Sequence, residues 1–432
     1  MALWLSDDVI DAPRTTRAAV EAVWRIEAAR LVAGLARITG DVGTAEELAQ
    51  DALVAALEQW PTRGVPPNPA GWLMTTAKNR GVDLARRRHT LHRKLGAVYR
   101  DIEVRQDTAD TDRDDTIDDH IGDDVLRLIF TACHPALSME SRVALTLRCV
   151  GGLASDEIAR AFLVPEATAA QRIVRAKKTL RDKEIAFELP TPDQARERLA
   201  TVLEVLYLIF NEGYAATSGP AWTRPELCEE ALRLARVLAN LVPDVAEVHG
   251  FVALVELQAS RIAARTGPDG EPVLLADQDR GRWDRLLIRR GMDALQRAER
   301  LAGNGSPVGP YLLQAGIAGC HARAVRARDT DWVTIAGLYG VLRELWPNPV
   351  VELNRAVAVG MAQGPDAGLA VLDAVAGDPV LRGYAHLPAV RAELLTRAGR
   401  GVEAREQWCK AAELTRNEGE RWVFSRRAGQ VS

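Results

Sequence analysis

The 432-residue chain is short of cysteine, of aromatic residues and of net charge: it has five cysteines, 5% aromatics and a formal charge of −4. Cys133, Cys149, Cys228, Cys320 and Cys409 are scattered, with no C-x-x-C pair. That excludes a zinc site of the usual spacing and a disulfide framework, and small buried residues in a reducing cytosol are expected instead. The near-balanced charge excludes a protein basic throughout, so any contact with nucleic acid must come from local patches. No apolar run approaches the roughly 20 residues that span a bilayer. The opening "MALWLSDDVIDAPRTTRAAV" has neither a basic start nor a long apolar stretch, so no signal peptide is expected and the chain is expected in the cytoplasm, with no membrane partner. No nucleophile–base pair, metal-ligand cluster or phosphate loop stands out, so neither an enzyme nor a cofactor is expected. No segment shows the period-two alternation of a half-buried strand.

What is present is helix. Alanine, leucine, arginine and glutamate dominate, with apolar residues recurring at intervals of three and four, which predicts an all-α fold. Breaks fall at "PTRGVPPNP" (61–69), "TGPDGEP" (266–272), "GNGSPVGP" (303–310) and "WPNP" (346–349). Charge divides the front of the chain. Residues 71–100 carry eight Lys/Arg against Asp83, and residues 101–124 carry eleven Asp/Glu against Arg105 and Arg113. A run this polar cannot bury enough surface to fold alone and reads as a linker between two helical units. The expected division is 1–95, an acidic linker 96–122, 123–190, and a large helical region 191–432.

In the first unit, "TAEELAQDALVAALEQW" (44–60) starts with Thr44 and Glu47 spaced as a capping box. Leu48, Ala52, Leu53, Ala56 and Leu57 form its expected buried stripe, and Glu46, Glu47, Gln50 and Asp51 are expected on the surface. The next helix, "AGWLMTTAKNRGVDLARRRH", places Trp72, Leu73, Ala77 and Leu84 inward. Lys78, Arg80, Arg86, Arg87 and Arg88 gather toward the other side and the helix end. Such an end either holds phosphates or complements the helix dipole.

In the second unit, Ser138 caps a helix with Glu140 in its first turn, and "VGG" at 150–152 ends it. "ASDEIARAFLV" then forms a short helix with Ile158, Ala159 and Phe162 inward. After a short turn, Pro165 stands where another helix begins, with Ala169, Ile173, Ala176 and Leu180 facing a core. This is the helix–turn–helix layout of DNA readers. Glu166, Thr168, Gln171, Arg172 and Arg175 then face base edges, where Gln pairs with adenine and Arg with guanine. Lys177, Lys178 and Arg181 suit phosphates.

Taken in order, these motifs resemble a bacterial RNA polymerase sigma factor of the extracytoplasmic-function (ECF) group, in the sigma-70 superfamily. "AEELAQDALVAAL" resembles region 2.2, "PAGWLMTTAKNRGVDLARRR" regions 2.3 and 2.4, and "GLASDEIARAFLVPEATAAQRIVRAKKTLR" region 4.2. The resemblance implies core RNA polymerase as partner, through its β′ coiled coil and β flap, and promoter DNA. It assigns Glu47, Gln50 and Asp51 to core polymerase. Trp72, Lys78, Asn79, Arg80, Arg86, Arg87 and Arg88 go to the −10 element, with the loop Thr62–Asn68 where a −10 base is flipped. The second helix of the helix–turn–helix goes to the −35 element. Trp72 reads equally as a base-stacking platform or as a core residue under that loop. The acidic linker would thread the RNA channel, or serve as a solvated spacer. Leu163 stands where many relatives have glycine in the turn, and Ala169 and Ala170 shorten the reading face.

The chain continues past region 4, and "LYLIFNEGYAA" (206–216), "LLADQDRGRWDR" (274–285) and "WPNPVVELNRAVAV" (346–359) resemble an ECF subgroup with a C-terminal helical extension. Residues 383–416 read as two amphipathic helices about a Gly-Arg-Gly turn, with Ala392, Leu395, Ala404 and Ala411 giving the small-residue packing of a tetratricopeptide-like repeat. Segment 350–377 reads as a poorer copy, and a curved array is expected. Asn211, Glu212, Tyr214, Asn348, Glu352, Asn354 and Arg355 read either as a site for a small ligand or protein, or as internal hydrogen bonding, which is the more usual role. Cis regulation by this extension is expected. The rival reading is a polymerase-independent helix–turn–helix regulator whose repeat domain senses a ligand, and a repeat-based adaptor is a more distant third.

Overall fold

The structure, a computed structural model, describes residues 12–81, 124–162, 164–214, 223–268, 271–415 and 417–431. Among them the secondary structure is helical, with a single isolated antiparallel bridge between Thr266 and Pro272, so the fold is all-α. The described residues form two compact units. The first runs to Val205, apart from Ala161 and Phe162, and the second takes those two residues and Leu206 onward.

In the first unit, α1 (Ala12–Thr39) and α2 (Val42–Arg63) pack side by side. Gly40 turns the chain between them at φ +69°, a conformation that costs a side-chain-bearing residue roughly 1–2 kcal/mol. The turn leaves Asp41 extended, and its carboxylate accepts from the amides of Gly43 and Thr44 at 3.3 and 2.9 Å. The helix therefore starts three residues before the expected Thr44 cap, and the Thr44 hydroxyl itself donates to Asp41 at 2.7 Å. Asp is at least as good a cap as Thr, and only Asp41 has the extended backbone a cap needs. α2 also runs on through Pro61, expected in the loop, for one more turn to Arg63.

Trp24, Ala28, Leu31, Val32 and Leu35 of α1 are buried, as are Ala45, Leu48, Ala49, Ala52 and Ala56 of α2. Two expected stripe members sit outside this core, Leu53 half-buried and Leu57 exposed, because the alanine-rich face turns toward Ala45 and Ala49. α3 (69–81) starts after Asn68, whose side chain accepts from the Gly71 amide, and buries Leu73 and Ala77. After α4 (124–132), α5 (Met139–Cys149) begins at the expected Ser138 cap. α6 (Ser155–Ala161) and α7 (Glu166–Asp182) complete the helix–turn–helix. Leu163 lies outside the described residues. The indole of Trp24 donates to the Gly152 carbonyl at 2.9 Å, which ties α1 to the end of α5.

α8 (Pro192–Tyr214) crosses the division between the units. In the second unit α9 (Pro225–Leu241), α10 (Ala246–Ala259), α11 (Arg285–Gly303) and α12 (Pro310–Arg323) follow, with α10 packed against the other three. Gly250 makes that packing possible, because a Cβ there would meet the Leu312 Cα at 2.7 Å. Glu247 of α10 accepts from the amides of Tyr311 and Leu312, capping α12 from a neighbouring helix. α13 (Trp332–Leu345), α14 (Pro349–Gln363), α15 (Pro365–Val375), α16 (His386–Arg397), α17 (Gly401–Leu414) and α18 (Glu418–Gln430) then pack pairwise in chain order. The expected repeat is the α16–α17 hairpin, with Ala392, Leu395, Ala404 and Ala411 buried. α14–α15 is the second hairpin.

Five of the seven polar residues of this unit named above make local bonds. Glu212 pairs with Arg224, Asn348 caps α14 through the Val350 amide, and Arg355 donates to Glu352 at 2.9 Å. Asn211 bonds the Tyr207 hydroxyl, and Asn354 is exposed.

Candidate nucleic-acid interface

α7 owes its orientation to four residues. Ala169, Ile173, Ala176 and Leu180 are all buried, and α7 packs them against α5. A helix turns 3.6 residues per cycle, so fixing this stripe fixes the opposite face. Glu166, Gln171, Val174, Arg175 and Lys178 are exposed there, with Thr168 and Arg172 half-buried at its margins. Lys178 pairs with Asp182 one turn on. The short α6 anchors the pair of helices with Ile158 and Ala159 buried, and Glu157 caps its start by accepting from the Ala154 amide at 2.8 Å.

Two of the expected phosphate-binding residues point elsewhere. Lys177 is 13% exposed at its side chain and its ammonium sits on Glu46 of α2. Arg148 of α5 donates to the other Glu46 oxygen at 2.7 Å, so both oxygens of a carboxylate with only 4% exposure are engaged. Arg181 reaches Asp41 at 3.1 Å. The Asp41 carboxyl is raised by burial, but the Thr44 hydrogen bonds and Arg181 outweigh this and hold it below the usual range. Cys149, behind the same contact, is pushed up to about 12 by burial and then by the Glu46 charge.

Glu46 was expected on the surface, and the structure corrects this. α2 buries one face against α1 and also meets α7, and Glu46 lies at the second contact. Neither Glu46 nor Arg148 carries a local signal beyond the presence of Arg148 inside the apolar run "VALTLRCV".

The remaining expected residues lie around α2 and α3. Glu47 is exposed, Gln50 half-buried, and Asp51 exposed with Arg80 at 3.4 Å. Lys78 and Asn79 are exposed, and Arg86, Arg87 and Arg88 lie outside the described residues. Trp72 is half-buried and meets the buried Trp60 edge-to-face, with ring centres 5.4 Å apart. That contact supplies the core role and still leaves part of the indole at the surface.

Residues 26–90 match the family described as Sigma-70 region 2, and residues 127–180 that described as Sigma-70, region 4. The chain belongs to the sigma-70 family. It is an ECF-like sigma factor with a C-terminal extension, and residues 198–299 of that extension match a family of unknown function, DUF6596. An uncharacterised protein of Rhizobium meliloti (strain 1021) is 42% identical over 387 residues, 89% of each chain. The two sigma-70 regions carry promoter recognition, with core RNA polymerase and promoter DNA as partners. In this sigma factor the region 2 match contains α2 and α3, and the region 4 match runs from α4 into α7. No helix among the described residues is long and apolar enough to cross a membrane.

Proposed function

We propose that this sigma factor directs core polymerase to promoters by laying α7 into the major groove of the −35 element. Glu166, Thr168, Gln171, Arg172 and Arg175 read bases there, while Lys177, Lys178 and Arg181 hold phosphates. Trp72, Lys78, Asn79 and Arg80, with Arg86, Arg87 and Arg88 beyond them, hold and open the −10 element. Glu47, Gln50 and Asp51 dock on the β′ coiled coil, and the region 4 unit on the β flap. The observation that carries this reading is the exposed polar face of α7, set by its four buried residues, in a chain that also matches region 2. In-vitro transcription with core enzyme on a promoter library tests it. Specific initiation is expected only with core present, and Gln171→Ala or Arg175→Ala should relax the preference at one upstream position, a bidentate contact being worth about 1–3 kcal/mol. Tight sequence-specific duplex binding by the protein alone would favour a polymerase-independent regulator.

The arrangement described is a resting one. Glu46 and Asp41 hold Lys177 and Arg181, two cations that the promoter complex needs for phosphates. Core binding through the adjoining Glu47 and Asp51 separates α2 from α7 and frees them. Arg148→Met weakens the same contact from α5, outside both proposed promoter surfaces. It should raise promoter-complex formation at limiting core concentration, and an unchanged or lower yield would argue against a resting state. The extension, residues 191–432, regulates this opening in cis. Deleting residues 193–432 should alter core-dependent initiation, and unchanged initiation would remove the extension from the mechanism.

A further inference from the structure

The second unit buries three arginines together. Arg261, Arg265 and Arg280 are 7%, 9% and 8% exposed. They gather about two aromatic rings. The Arg265 guanidinium carbon lies 3.9 Å from the centre of the Tyr214 ring, that of Arg280 4.8 Å from Trp283, and that of Arg261 5.8 Å from both. Buried arginines are ordinarily matched by carboxylates, because an uncompensated charge is costly to desolvate.

Five carboxylates near these arginines, Glu256, Asp277, Asp279, Asp284 and Asp329, have partners of their own. Glu256 pairs with Arg236, Asp277 with Arg427 and Asp329 with Arg326. Asp279 and Asp284 cap turns and helices through backbone amides. Arg280 spends its terminal nitrogens on neutral acceptors, the carbonyls of His321 and Ala324 at 2.5 and 2.6 Å and the Thr330 hydroxyl at 3.1 Å. Among the described residues the Arg261 side chain donates to no acceptor, and its buried Nε is unpartnered. The Nε of Arg280 and the indole nitrogens of Trp283 and Trp332 are buried donors in the same condition, and Nδ1 of His321, a donor or an acceptor according to the tautomer, is also unpartnered. The His321 and Trp332 rings meet edge-to-face at 5.2 Å. So the unpartnered buried atoms on Arg261, Arg280 and Trp283 are nitrogens, while on the neighbouring segments Gln278 Oε1 and Glu256 Oε2 are unpartnered acceptors.

We propose that Arg261 and Arg280, with Trp283 and His321 beside them, form a binding site for a compact oxyanion, the phosphate or carboxylate of a small molecule. An oxyanion would supply the acceptors these nitrogens lack. Guanidinium groups match its planar, multi-oxygen geometry, and aromatic walls exclude water around the contact. Two shifts agree with an uncompensated charge. His321 is pushed down to about 3 by burial and then by Arg261 and Arg280. The buried Tyr214 hydroxyl would be raised by burial, yet Arg261 and Arg265 bring it below the usual phenol range.

The site does not depend on the promoter reading, so its test uses the full-length protein without polymerase or DNA. Tryptophan fluorescence and calorimetry are followed while inorganic phosphate, and separately succinate, replaces chloride at constant ionic strength. Saturable binding of at least one is expected, with a rise in melting temperature, and the two arms distinguish phosphate from carboxylate. Arg261→Met should weaken that binding at least tenfold while melting no lower than wild type without anion, because it removes an unpaired buried charge. Arg261→Lys, which keeps the charge and loses the fork, should fall between. Failure of both anions to saturate in the millimolar range, or wild-type affinity in Arg261→Met, would overturn the proposal. If Arg261→Met does not fold, the wild-type titrations decide alone.

Discussion

Glu46 and Glu47 are neighbours of the same type with opposite fates. Glu46 is 3% exposed and held by Arg148 and Lys177, whereas the Glu47 side chain is 67% exposed. Removing one partner of a buried pair strands the other, so Glu46→Ala should cost about 3–5 kcal/mol in chemical denaturation. Glu47→Ala should stay within about 0.5 kcal/mol and act on core binding instead.

His321 offers a second residue-scale test. Its pKa in the folded chain, about 3, lies below the ordinary 6.5. Between those values the unfolded chain binds the extra proton, so the stability due to a neutral His321 is fully present above about pH 6.5 and is lost as pH falls toward 3. On moving from pH 7.5 to pH 5 wild type should lose about 2 kcal/mol more than His321→Gln, read from denaturant midpoints.

At the scale of elements, α7 and the α10–α12 pair show two ways of fixing a helix. α7 is held by a four-residue stripe, so Ile173→Ala should cost about 2–4 kcal/mol, while Val174→Ala on the exposed face should leave the melting temperature nearly unchanged. α10 is held by backbone approach at Gly250. Gly250→Ala should lower stability by about 1–3 kcal/mol despite the better helix propensity of alanine, because the added methyl meets main chain rather than a side chain that can move. The α7 stripe was legible in the sequence because four apolar positions at helical spacing admit one orientation. The start of α2 was misplaced because Thr44 and Glu47 satisfy a local capping rule. The competing cap, Asp41, depends on the backbone turn at Gly40.

For the whole molecule, the proposed resting state sets the pairing of α2 with α7 against the proposed binding of α7 to phosphates. Both are electrostatic, but they respond differently to salt. The Glu46 contact is largely buried and weakly screened, while phosphate binding releases counterions and falls steeply with salt. Promoter-complex formation by Arg148→Met should therefore exceed wild type most clearly at moderate salt, measured by gel shift with core enzyme across a potassium chloride series.

The sequence by itself determined the helical class, the order of the two sigma regions, the inward stripe of α7 and the α16–α17 hairpin. The class, the stripe and the hairpin follow from periodicity and turn residues within a few tens of residues, and the two sigma regions from the resemblance of their motifs to a known family. Only the tertiary structure decided that Glu46 is buried, that Lys177 and Arg181 are paired within the protein, and that Arg261 and Arg280 share one buried cluster. Those contacts join residues 102 to 140 positions apart, or 19 in the case of the arginines, and their free energy comes from desolvation by surrounding helices. No local pattern reports that quantity.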